Sequence, residues 1–159
     1  MRKLGGFLLV VGAALTFAPA AQPSVVQDVR TLRQLVNATR AQHSLPPLRF
    51  VAALDRSAIL KAEAIRRCSS FSHTPCGTPF SRTFQQAGYS GASIAENLGW
   101  GTGPVGSPSA ILAAWMRSPA HRANLLSRRW RDGGVASVSA PSLFGASGVR
   151  IWVLQFGRR

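Results

Sequence analysis

Ala114-Trp115-Met116-Arg117-Ser118-Pro119-Ala120-His121-Arg122-Ala123-Asn124-Leu125-Leu126 is the stretch whose reading decides the fold. Ser118-Pro119 in its middle is a stop followed by a restart, because proline cannot continue one helix yet suits the first turn of the next. The same Ser-Pro signal occurs upstream at Ser107-Pro108. The spacing therefore predicts one helix from Ser107-Pro108 through Met116 and a second from Ser118-Pro119 to about Leu126. His121 falls at the start of the second.

Working outward, Gly134 to Ala140 and Val149 to Phe156 read as two strands joined by a connection rich in Gly, Ser and Pro. Upstream, Ser93 to Gly101 reads as a strand carrying Glu96, with Gly99, Gly101 and Gly103 breaking it. Thr78-Pro79 is read as a cap and first helical residue, opening a short helix through Ala87 that stops at Gly88. Phe50 to Arg67 fits a helix with a stripe of Leu54, Ala58, Leu60, Ala62 and Ile65. Ser24 with Gln27 resembles a capping box, and Val25, Val29, Leu32 and Val36 follow at helical spacing up to about His43, before Pro46-Pro47. Helices first and a hairpin last imply an α+β domain, its helices packed on a small antiparallel sheet.

Residues 1–20 read as a secretory signal peptide: Arg2 and Lys3, an uncharged apolar stretch from Leu4 to Phe17, then Ala18-Pro19-Ala20 as the cleavage site. An uncleaved anchor is the competing reading, but the apolar run is short and ends at a proline. No later window approaches membrane-spanning length, so no transmembrane segment is expected after removal of the signal. Residues 21–29 are taken as a short leader and 30–157 as one domain. At 159 residues, with 46% hydrophobic and 15% charged residues, the chain is neither disordered nor a coiled coil. Export makes one disulfide the favoured state of Cys68 and Cys76; two metal thiolates at this separation match no common zinc spacing. The pair brackets His73.

Charge is lopsided, 19 Lys and Arg against 5 Asp and Glu, a formal net of +14. Arg122, Arg128, Arg129 and Arg131 cluster near the end of the last helix. Without a helix-turn-helix, RNA-binding or zinc-finger signature, and given export, nucleic acid is not the expected partner. An anionic cell-wall polymer or a lipid surface is the more natural target of that face, against the plainer reading of a solvated cationic surface. Trp100, Trp115, Trp130 and Trp152 read as core or cleft walls in preference to a stacking platform, and His43 as a solvated helix-end residue. Neither a nucleophile elbow nor a phosphate-binding loop is present. His73, Glu96 and His121 remain as the polar set able to hold Zn²⁺ and leave a position for water, although no local zinc motif joins them.

Together, Phe71-Ser72-His73, Ala95-Glu96-Asn97-Leu98 and the Ala114–Leu126 stretch resemble the signature blocks of the CAP superfamily: cysteine-rich secretory proteins, antigen 5 and pathogenesis-related 1 proteins, or the SCP domain. The short bacterial secreted branch is the nearest likeness. Val36-Asn37 through Arg40, Leu45-Pro46-Pro47-Leu48 and Trp152-Val153-Leu154-Gln155-Phe156-Gly157 fit it as well. The resemblance implies an α-β-α sandwich, a small antiparallel sheet between helices, with a cleft lined by two His and two Glu that takes a divalent cation, often zinc. His73, Glu96 and His121 match three of those residues, and Ser118 stands where the second Glu is expected. Asn97, Trp115 and Ser118 are then expected around the cleft. The implied function is a secreted binding module. The alternatives are a metal-dependent hydrolase of peptide or cell-wall material with Glu96 as base, and a lipid- or sterol-binding protein.

Overall fold

The computed structural model describes residues 24–159; the expected signal peptide and Ala21–Pro23 lie outside the described residues. Helix α1, Val25–Gln42, starts where the capping spacing places it, with Gln27 N–H donating to Ser24 Oγ at 3.2 Å. Strand β1 is Arg49–Phe50 and helix α2 is Ala52–Cys68. A short helix α3, Arg82–Gln86, precedes strand β2, Ser93–Thr102. Helix α4, Pro108–Arg117, is capped by Ser107 Oγ, which accepts from Ala110 N–H at 3.4 Å. Helix α5, Pro119–Leu125, and strands β3, Asp132–Leu143, and β4, Ala146–Arg158, complete the described chain.

The four strands lie in the order β1-β3-β4-β2. Apolar side chains leave both faces of this sheet. Leu98, Ala136, Ile151 and Val153 meet Ala58, Ala62 and Ile65 of α2 on one face. Val135, Trp152, Leu154 and Phe156 meet Leu32, Val36, Ile111, Trp115 and Leu125 of α1, α4 and α5 on the other. This is the α-β-α sandwich. Alternation along each strand produces it, since successive side chains point to opposite faces. Glycine makes the layers close: a Cβ on Gly134 would stand 2.2 Å from the Leu54 carbonyl carbon, so α2 rests directly on β3.

Several expectations need correction. The sheet is mixed, because β1 pairs parallel with β3 (Arg49↔Asp132, Phe50↔Gly133) while the other ladders are antiparallel. Phe50 is therefore in a strand and not at a helix start. Val51 is still extended (φ −120°, ψ 138°), and its N–H bonds to the Gly133 carbonyl, so α2 begins only at Ala52. Thr78 caps nothing; its hydroxyl donates to the Pro75 carbonyl at 2.8 Å, and α3 starts later, at Arg82. Gly99 and Gly101 do not break β2. A Cβ on Gly99 would lie 3.2 Å from Trp115 Nε1, so this glycine lets α4 settle against the strand. The loose connection expected after Ala140 is absent among the described residues. β3 and β4 run on to a tight turn at Phe144 (φ 54°) and Gly145 (φ 76°), a pair of left-handed residues suited to hairpin twist.

Two side chains tie the α1 end of the domain. Asn37 holds both the N–H and the carbonyl of Leu48, and the buried Arg40 guanidinium donates to the carbonyls of Pro46, Leu125 and Ser127. Burial, followed by the nearby Arg131 charge, lowers the Arg40 pKa. Among the described residues no helix is long and apolar enough to cross a membrane.

Candidate functional site

Strand β2 lies at an edge of the sheet, so loops and helices from both outer layers can meet around it. From the α2 side comes the loop after Cys68. A Cys68–Cys76 disulfide closes it, with the two Cα atoms 5.6 Å apart, and it carries Phe71 and His73. From the opposite side comes α5 with His121. The sequence set His73, Glu96 and His121 thus gathers at one edge, but its members are not equivalent.

Glu96 projects toward α2, directly across from Gln155 in the β2–β4 ladder. Its side chain is fully buried and every partner is a hydrogen donor. His73 Nδ1 lies 2.9 Å and Lys61 Nζ 3.4 Å from Oε1, while Gln155 Nε2 reaches Oε2 at 3.1 Å. An ionised carboxylate only accepts, so the His73 proton sits on Nδ1. The ring keeps Nε2 free, and half of its side chain is exposed. Lys61 Nζ also donates to the His73 carbonyl and lies 5.4 Å from the centre of the Phe80 ring. One ammonium therefore binds both the carboxylate and the backbone of the histidine that the carboxylate orients.

His121 is fixed from below. Asn97 Nδ2 donates to its carbonyl at 2.9 Å, and Asn124 Nδ2 donates to Asn97 Oδ1 at 3.0 Å. Burial lowers the His121 pKa and the neighbouring His73 lowers it further, favouring a neutral ring. His121 and Ser118 line a cavity of about 310 Å³ walled by Leu98, Ile111, Trp115 and Trp100, with Phe71 at its margin. Trp115 donates through Nε1 to the Leu98 carbonyl at 2.8 Å, an edge-strand acceptor. Trp100 is 38% and Phe71 is 42% exposed. Both pack on Phe144, with ring centres 5.4 and 6.0 Å away. These three rings form an open aromatic rim beside the imidazoles.

Of the expected residues, Ser118 and Trp115 line the cleft and Asn97 supports it. Trp115, Trp130 and Trp152 are buried, and only Trp100 is a cleft wall open to solvent. His43 is exposed at the end of α1, as expected. Arg122, Arg128, Arg129 and Arg131 lie at or near the surface. Three of them are partly committed to the fold: Arg128 donates to the Ser44 carbonyl, Arg129 to Ser93 Oγ, and Arg131 to the Arg128 carbonyl.

Zinc chemistry can be weighed against this donor set. A site of two imidazoles and one carboxylate needs a free lone pair on each ligand. Both Glu96 oxygens already accept from protein donors, one of them a cation, and among the described residues no three His, Cys, Asp or Glu stand together as a metal group. The set as arranged does not fit a three-ligand metal centre. Lys61, Gln155 and Phe144 were missed in the sequence. Lys61 had a legible signal: with Leu54, Ala58, Ala62 and Ile65 it occupies the buried stripe of α2, and apart from Lys3 it is the only lysine in an arginine-rich chain.

An α-β-α sandwich with His and Glu gathered at an edge strand defines a CAP/SCP domain. The family model described as "CAP: Cysteine-rich secretory protein family" matches residues 33–156, and the chain belongs to that family. It is similar to a Bacillus subtilis (strain 168) protein named "Uncharacterized protein YkwD", at 30% identity over 139 residues, covering 86% of this chain and 49% of that protein. The chain thus spans about half the length of this curated relative. Two solved structures share the fold. One is an extracellular protein containing a SCP domain from Bacillus anthracis (TM-score 0.71, 21% identity, 84% of this chain and 41% of that chain). The other is an outer surface protein from Borrelia burgdorferi (TM-score 0.72, 21% identity, 86% of this chain and 96% of that chain).

Proposed function

We propose that the chain is an exported binding module whose β2-edge cleft seats a cell-wall polymer. The aromatic rim carries the reading: Phe71, Trp100 and Phe144 form a cluster open to solvent beside a cavity that ends on His121 and Ser118. Flat ring faces suit the apolar faces of sugar rings, and an imidazole nitrogen and a hydroxyl suit their hydroxyls. The formal charge of +14, of which only Arg2 and Lys3 lie in the signal-like segment, favours an anionic polymer and speeds encounter with it. Export is supported by the signal-like first 20 residues and by relatives described as extracellular or outer-surface proteins. A divalent cation enters this reading only through the two imidazoles, since Glu96 is committed to Lys61.

Titration with soluble cell-wall fragments tests it, followed in the wild type by the fluorescence of Trp100, the exposed indole, and in the variants by calorimetry. Trp100→Ala and Phe71→Ala should each weaken binding about tenfold, about 1.4 kcal/mol, at an unchanged melting temperature. Unchanged affinity in both, with loss only on Arg128→Glu/Arg129→Glu and with salt, would replace the cleft by the basic face.

The His73–Glu96 pair favours one second reading, hydrolysis with His73 Nε2 as general base and Glu96 as its orienting carboxylate. In that case Glu96→Gln abolishes turnover of peptide or wall substrates while ligand affinity holds.

A further inference from the structure

We infer that Lys61 is the resident cation of the cleft: its ammonium takes the position on Glu96 that a metal ion would need, so Glu96 does not serve as a metal ligand. Both partners are buried, Lys61 with 1% and Glu96 with 0% of the side chain exposed, at 3.4 Å. A buried ammonium persists only when its charge and its protons are matched. Here they are matched by Glu96 Oε1, by the His73 carbonyl and by the face of Phe80. The carboxylate is engaged at both oxygens. Its second oxygen accepts from Gln155, itself fully buried, and its first also accepts from His73.

Metal entry at Glu96 would place a doubly charged ion against an ammonium that cannot reach water. It would also compete with the donors that orient His73. A divalent ion left with two neutral imidazoles alone has no anionic protein ligand. Lys61 thus acts as a positioning residue with a consequence for specificity. It holds the His73 loop from the backbone side, keeps the Glu96–His73 bond directed, and leaves Nε2 for a hydrogen-bonding ligand. This inference stands whichever ligand the cleft takes.

Calorimetric titration of zinc chloride into the oxidised chain, beside Lys61→Met, tests it. The wild type should show no saturable Glu96-dependent binding. Lys61→Met should bind one zinc per chain at least tenfold more tightly than the wild type, and Lys61→Met/Glu96→Gln should lose that site. Stoichiometric zinc binding by the wild type that disappears in Glu96→Gln overturns the inference, as does a folded Lys61→Met with wild-type zinc affinity. If Lys61→Met does not fold, the double variant decides. Recovery of its melting transition by removal of the now unpaired carboxylate supports the pairing, and a double variant as unfolded as the single one overturns it.

Discussion

Two buried carboxylates stand at different places in the sheet, and their partners differ in kind. Asp132, at the start of β3, accepts from Arg49 (3.1 and 2.8 Å) and from the Tyr89 hydroxyl (3.0 Å), with Arg159 at 3.7 Å. Its two cations reach in from solvent, the Arg49 side chain being 71% and that of Arg159 58% exposed. Glu96 has a cation as buried as itself and a half-exposed histidine. The first arrangement is a tie: Arg49 and Asp132 are register partners of β1 and β3, and their ion pair fixes that short parallel ladder. The second is a mount, in which the ion pair stays inside and only a ring nitrogen faces outward. The fold uses charge as fastening where the cation reaches solvent, and as orientation where the cation is buried.

The largest expected difference comes from removing each cation. Lys61→Met should cost about 3–5 kcal/mol in urea unfolding, because it strands a buried carboxylate. Arg49→Met should cost about 1 kcal/mol, because Arg159 and Tyr89 still serve Asp132 and the lost cation is a solvent-exposed one. Equal losses would erase the distinction between tie and mount. Next in size is the staple over the mount. Cys68→Ser/Cys76→Ser should lose about 2.5 kcal/mol in the chain-entropy account of so short a loop, and it should weaken ligand binding by freeing His73. A variant that loses stability yet binds as before would separate the loop from the site.

The smallest effect near neutral pH, and the sharpest contrast, lies in titration. At the Asp132 end, burial and then the Asp132 hydrogen bond raise the Tyr89 phenol to about 12. The unfolded phenol ionises near about pH 10, so the Tyr89 contribution to stability is complete below that and declines as pH rises from there. Tyr89 is the one tyrosine in the chain, so its ultraviolet titration reads this directly. At the Glu96 end, the His121 pKa is lowered, first by burial and then by His73. The His121 contribution is complete above the unfolded value of about 6.5 and declines as pH falls below it. His121→Gln should flatten the acid limb alone, and Tyr89→Phe the alkaline limb alone.

Much of this was legible in the sequence because the signals were local. The Ser24, Ser107 and Ser118-Pro119 helix starts, the strand holding Glu96 and the hairpin strands follow from caps and alternation, and the three site residues lay in recognisable blocks. What escaped depended on partners distant in the chain. Phe50 continues an apolar stripe and looks helical until Gly133 offers a parallel strand to pair with. Gly99 looks like a breaker until Trp115 needs its space. Lys61 sits in the apolar stripe of α2, but its charge has no evident partner until Glu96, far along the chain, is seen to meet it. Phe144 became a rim residue only because the hairpin runs past its expected end to carry that ring to Trp100.

The orientation of His73 is the claim on which the geometry of the site and the role of Lys61 both depend. Nitrogen-15 NMR of the imidazole rings at a pH where His73 is neutral tests it most directly. The account predicts a proton on Nδ1, its resonance protected from exchange and altered by Glu96→Gln, with an unprotonated Nε2 whose shift moves when cell-wall fragments are added. A proton found on Nε2, indifferent to Glu96→Gln and to ligand, would contradict it.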